Sequence, residues 1–135
     1  MKIKVELVTP RGVHLSKEVD SVNIPTQEGE IGVLFGHVPL LCPLWPGLVY
    51  FDAKSDEGVV VSYGFVLIER DRVLILSEEA KTVGEIDAGA EKEFFDDAMK
   101  RLASASALEE ILEAQRKLER SRVFLELSQK FGKGE

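Results

Sequence analysis

The apolar residues of this chain change their period once, near residue 85. Before that point Ile3, Val5 and Leu7 alternate with Lys2, Lys4 and Glu6, the two-residue repeat of a half-buried strand. After it Ala90, Phe94, Phe95, Ala98, Met99 and Leu102 recur at helical spacing. The punctuation changes at the same place: all five prolines, and every glycine except Gly89, Gly132 and Gly134, come before it. The pattern predicts a β unit over residues 1–84 followed by a helical unit over residues 85–135.

Within the first unit, Pro10-Arg11-Gly12 supplies a turn, and a second extended stretch holding Val19, Val22 and Ile24 ends at Pro25. Leu48 to Asp52 and Val59 to Tyr63 flank the loop Lys54-Ser55-Asp56-Glu57-Gly58. Phe65 to Glu69 and Val73 to Leu76 flank Arg70-Asp71-Arg72. Short strands, frequent turns and no intervening helical stripe favour an antiparallel β-sandwich or flattened barrel over a βαβ fold.

In the second unit Asp87 is placed to cap the first helix. Ala103-Ser104-Ala105-Ser106 interrupts the pattern, and Ser106 with Glu109 has the spacing of a capping box. Leu108, Ile111, Gln115, Leu118, Arg122 and Leu125, widened by Leu112, then predict a stripe on a second helix from Ala107 to Phe131, with Gly132 as its stop signal. Two such helices make an antiparallel α-helical hairpin, expected to be the less stable half because it has little core of its own.

A formal charge of −7 argues against nucleic-acid binding and disfavours direct adhesion to an anionic membrane. No apolar run is long enough to span a bilayer, and the uncharged stretch Val38 to Phe51 is broken by Pro39, Pro43, Pro46 and Gly47. The charged N-terminal alternation reads as strand rather than as a targeting peptide. A single cysteine, Cys42, excludes an internal disulfide and suits a reducing compartment. One asparagine beside abundant Lys, Glu and Arg leans towards a heat-adapted source.

Constellations for catalysis are scarce. Cys42 lies among Leu40, Leu41 and Leu44 and reads as a buried, inert thiol. His14 and His37 are isolated, with no CxxC or HExxH, so no metal site is expected. Gly29-Glu30-Ile31-Gly32 lacks the lysine of a phosphate-binding loop. Adjacent carboxylates such as Glu78-Glu79 and Asp96-Asp97 point different ways. The residues describe an interaction module without a cofactor, not an enzyme.

The most unusual segment is Gln27 to Leu40, where three glycines mix with apolar and acidic residues in what reads as an irregular connection. It is either a structural loop whose glycines let strands pack closely, or a rim presenting Glu30, Phe35 and His37 to a partner.

Three blocks carry a resemblance: Glu28-Gly29-Glu30-Ile31-Gly32-Val33-Leu34, then Gly36-His37-Val38-Pro39-Leu40-Leu41, then Trp45-Pro46-Gly47. Together they resemble the epsilon subunit of bacterial F-type ATP synthases. Tyr63 to Val66, Val73 to Leu76 and Glu78-Glu79-Ala80 resemble that family's later strands. The resemblance implies a β-sandwich followed by a helical hairpin, in a non-catalytic rotor part that couples ion flow to ATP synthesis. It implies as partners the gamma subunit and the c-ring, plus alpha and beta subunits when the hairpin is extended to restrain ATP hydrolysis. The membrane would be met only through the c-ring, at the cytoplasmic face of a bacterial cell membrane. Motif matching assigns Glu28, Glu30, Phe35 and His37 to the surface facing the c-ring and gamma, with Phe35 standing where the family has proline.

Some relatives bind ATP through an Ile/Leu-Asp-x-x-Arg-Ala motif at the start of the first helix. Here Ile86 and Asp87 match, but Ala90 replaces the arginine and Glu91 adds a charge that repels phosphate. Asp87 therefore reads foremost as an N-cap. On the second helix, Arg116, Lys117, Arg120 and Arg122 read either as a solvated face of helix pairs or as a cationic patch for the catalytic head, gaining acidic partners only when the hairpin extends. The rival to the rotor reading is a free-standing β-sandwich ligand-binding module whose hairpin dimerises.

Overall fold

The computed structural model describes residues 1–131, which divide into two compact units, Met1–Thr82 and the part of the chain from Val83 onward. Gly132, the expected helix stop, lies outside the described residues.

Ten strands build the first unit: β1 (Ile3–Thr9), β2 (Gly12–Val19), β3 (Ser21–Thr26), β4 (Gly29–Leu34), β5 (Leu40–Leu44), β6 (Gly47–Phe51), β7 (Val59–Val61), β8 (Gly64–Ile68), β9 (Arg72–Ser77) and β10 (Ala80–Thr82). They form a nearly closed β-sandwich in the order β10-β7-β6-β3-β5-β8-β9-β1-β2, with β4 added on β3. The β1–β9 pairing is parallel and every other ladder is antiparallel. Strand alternation turns one face of each inward: Ile3, Val5 and Leu7 of β1 meet Val66 and Ile68 of β8 and Val73 and Ile75 of β9 in one apolar core. β-branched residues dominate it, as suits side chains stacked on a pleated surface.

One expectation fails here. Gly29 to Leu34 is not an irregular connection but strand β4, paired along its length with β3. Its alternation is masked by two glycines: Ile31 and Val33 point inward against the core, while Glu30 and Leu34 point out.

The second unit holds α1 (Ala88–Ser104) and α2 (Leu108–Phe131). Asp87 caps α1, its Oδ1 accepting the Ala90 amide at 3.1 Å. The α2 cap falls one residue later than the sequence spacing placed it. Glu110, not Glu109, reaches back to the amides of Ala107 (3.2 Å) and Ser106 (3.4 Å), because the first helical bond is accepted by the Ala107 carbonyl.

The predicted stripe of α2 is rotated as well. Gln115 and Arg122 are exposed, and the buried positions are Ala114, Arg120, Ser121 and Phe124. On α1 the buried residues are Glu91 and Ala98. Small side chains, Ala98 on α1 and Ala114 and Ser121 on α2, take buried places at the seam, whereas counting only large apolar residues selects the neighbouring face. Phe94, Met99, Leu108 and Leu112 are left exposed.

Candidate functional site

The β3–β4 hairpin presents Glu28 and Glu30 to solvent. Glu30 is nonetheless anchored: its Oε2 accepts from Tyr50 Oη at 2.8 Å and from Asn23 Nδ2 at 3.1 Å, bridging β4 to β6 across β3. The Glu30 carboxylate beside it, aided by partial desolvation, raises the pKa of the Tyr50 phenol. Glu28 has no such anchor among the described residues; desolvation raises the Cys42 thiol pKa, and the Glu28 charge adds to it. Cys42 is half-buried against the core rather than enclosed, and the upward shift keeps it a protonated, unreactive thiol.

Phe35 and His37 behave differently. Phe35 is half-buried, packs against the sandwich core, and carries the Arg70 guanidinium 5.6 Å from its ring centroid. Gly36, at φ +89°, turns the chain and donates its amide to the Arg70 carbonyl at 2.7 Å. His37 is half-buried, with Nδ1 2.6 Å from the Val38 carbonyl oxygen and its amide bonded to Leu34. The β4–β5 connection is thus pinned by its own aromatic and imidazole groups, and the two acidic residues remain as the exposed part of the predicted surface.

A larger surface escaped the sequence reading. Register aligns Pro43, Phe65, Leu76, Val8 and Val13 across β5, β8, β9, β1 and β2, and beside that row Leu41, Leu67 and Leu74. Phe65 is 55% exposed, Leu41 67%, Val13 64% and Leu76 44%, so this outer sheet face is apolar and open. Contiguous exposed apolar surface of this kind marks a protein contact. A signal was available in the sequence: Phe65-Val66-Leu67-Ile68 and Val73-Leu74-Ile75-Leu76 are unbroken apolar runs, the mark of strands needing cover on both faces.

In the hairpin the four predicted bases do not wait for partners. Lys117 pairs with Glu113 at 3.3 Å, and Arg122 spans Glu119 (2.6 Å) and Glu126 (2.7 Å). The bond to Glu119, ahead of that to Glu126, holds the Arg122 guanidinium further in its charged form. Arg120 is buried, ion-paired with Glu91 of α1, and sits over the Phe124 and Phe94 rings at 4.0 and 5.1 Å. Arg116 remains on the exposed side of α2. The expectation of acidic partners only in an extended hairpin is therefore corrected: helix spacing supplies them to Lys117 and Arg122, and the facing helix supplies Glu91 to Arg120. Ile86 is half-buried and the Asp87 carboxylate is engaged as the cap. Among the described residues no cluster of His, Cys, Asp and Glu is arranged to hold a metal ion.

The fold and its apolar sheet face define a class that comparison makes specific. Residues 2–83 match the model of the ATP synthase delta/epsilon chain β-sandwich domain. The chain is 44% identical over 129 residues to the ATP synthase epsilon chain of Hydrogenobaculum sp., covering 96% of this chain and 95% of that one. It is 46% identical over 104 residues to the ATP synthase epsilon chain of Aquifex aeolicus, covering 76% and 79%. Among solved structures, a chain of the Euglena gracilis mitochondrial ATP synthase, determined with OSCP, F1 and c-ring, superposes with a TM-score of 0.74. That match has 25% identity and covers 90% of this chain and 78% of the other. A chain from a structure of the Tetrahymena thermophila mitochondrial ATP synthase central stalk and c-ring shares the fold at 17% identity, with a TM-score of 0.64 over 95% of this chain and 97% of that one. The chain belongs to the ATP synthase epsilon chain family.

Proposed function

We propose that this chain is a non-catalytic central-stalk subunit of an F-type ATP synthase, transmitting rotation between the c-ring and the catalytic head. The observation that carries the reading, beyond family membership, is the open apolar row Pro43–Phe65–Leu76–Val8–Val13. A transmission part must grip its neighbour over a broad, rigid face, and a five-stranded sheet face offers one. In this reading that face grips gamma, and the acidic rim of Glu28 and Glu30 faces the polar side of the c-ring. The complex is met at a membrane although no helix among the described residues is long and apolar enough to cross one.

The hairpin supplies regulation in the same reading. To engage alpha and beta subunits in an extended state, Lys117, Arg120 and Arg122 must exchange the carboxylates they hold now for carboxylates on those subunits. Tagged chain recovered from membranes should bring gamma, alpha and beta with it. The Phe65→Asp, Leu76→Asp double variant, which alters only exposed side chains, should fold and lose them. Recovery of the variant with a full complement of subunits would contradict the docking face. Failure of the unmodified chain to recover any would favour the free-standing module.

A further inference from the structure

The seam between α1 and α2 contains two opposed features. The first is the Glu91–Arg120 ion pair, whose side chains are only 7% and 10% exposed and lie 29 residues apart in sequence. Its cation is covered by Phe94 from α1 and Phe124 from α2. The second is Ser121, fully buried, whose hydroxyl has no hydrogen-bond partner among the described residues. The other buried contacts at the seam, Ala98 and Ala114, are small and bury little apolar area each.

A buried charge left without its partner is strongly unfavourable, so a shared, buried ion pair makes separation of its two elements costly and specific. A buried hydroxyl without a partner acts in the other direction, because it regains water when the seam parts. We infer that the Glu91–Arg120 pair is a clasp that sets how often α1 and α2 separate, with Ser121 as a built-in bias towards opening. Because Glu91 supplies the counter-charge from within the chain, Arg120 is neutralised in the closed hairpin without any bound anion. Closure is consequently independent of nucleotide. This is a property of the isolated chain and does not depend on the rotor reading.

The test is residue-resolved hydrogen exchange of the full chain in isolation, for the unmodified protein, Glu91→Gln, Arg120→Met, the double variant, and Ser121→Ala. Glu91→Gln and Arg120→Met should each raise the opening constant of α1 and α2 amides about tenfold or more. The double variant should show less than the product of the two effects, since neither charge is then stranded. Ser121→Ala should lower the opening constant several-fold. Sandwich amides should be unchanged throughout, which separates loss of the clasp from global unfolding. Millimolar magnesium-ATP should leave the unmodified hairpin's exchange unaltered. Multiplicative effects of the two clasp variants, faster opening in Ser121→Ala, or a marked slowing by ATP would each overturn the inference.

Discussion

The sandwich and the hairpin are built on opposite principles. The sandwich buries a continuous apolar core from Ile3 to Ile75, with its polar groups tied into ladders. The hairpin buries Glu91, Ala98, Ala114, Arg120, Ser121 and Phe124, and leaves Phe94, Met99, Leu108 and Leu112 exposed. One unit is held by non-directional burial that cannot be lost piecemeal. The other rests on a few directional contacts, the buried Glu91–Arg120 pair foremost. A part that transmits torque suits the first construction, and a part that switches suits the second.

One added methyl group should affect the two units very differently. In Gly64→Ala the new Cβ falls 1.8 Å from the Leu76 carbonyl oxygen, a backbone atom of the paired strand. Denaturant unfolding should show a loss of about 3 kcal/mol or more. In Gly89→Ala, within the first turn of α1, the Cβ meets Asp87 Oδ1 at 3.4 Å, an ordinary contact. Helix propensity should then leave the hairpin unchanged or more stable by up to about 1 kcal/mol. Comparable losses at both sites would erase the distinction.

Truncation gives the next largest contrast. Ile75→Ala removes a fully buried side chain and should cost about 2–5 kcal/mol in the sandwich transition. Leu112→Ala, 51% exposed, should change stability by less than about 0.5 kcal/mol. A smaller difference should appear with salt. Lys92–Asp96, Arg101–Asp97, Lys117–Glu113 and Arg122–Glu126 are exposed helix pairs, each worth about 0.3–0.5 kcal/mol at low ionic strength. Raising salt to about 1 M, where the Debye length is about 3 Å, should lower hairpin protection slightly and leave sandwich amides unaffected by this route.

The smallest expected effect is in acid. Asp52 Oδ1 accepts the Ser21 amide at 3.1 Å and the Asp20 amide at 2.8 Å. The Ser21 bond is the leading cause of a pKa below the usual aspartate value, assisted by the Asp20 bond and opposed by desolvation. A lowered folded-state pKa gives stability that is present above the unfolded value and lost as pH falls through the folded one. Asp52→Asn should therefore show a flatter melting-temperature profile below about pH 4 than the unmodified chain. An identical acid profile would remove this carboxylate from the corner.

Much of the architecture was legible in the sequence, for reasons that can be located. The change of period near residue 85 and the Asp87 cap are local signals, and local signals survive folding. Strand β4 was obscured because Gly29 and Gly32 interrupt its alternation, although Ile31 and Val33 keep the two-residue step. The hairpin seam was misjudged because Ala114 and Ser121 carry no hydrophobic weight, yet small residues are what close packing selects. The acidic rim was visible as residue types, but the outer sheet face needed register: only pairing brings Pro43, Phe65, Leu76, Val8 and Val13 into one row. Arg120 showed the same limit, since its partner Glu91 lies on the other helix.

The measurement that bears most directly on the contrast is native-state hydrogen exchange of the isolated full chain across sub-denaturing guanidinium. Amides of Ala98, Leu118 and Phe124 should exchange through an opening of lower free energy and shallow denaturant dependence. Amides of Val60, Val66 and Ile75 should exchange only through global unfolding of the sandwich, with the full dependence. A single free energy and a single slope shared by both sets would contradict the account, because the hairpin would then open only when the sandwich unfolds.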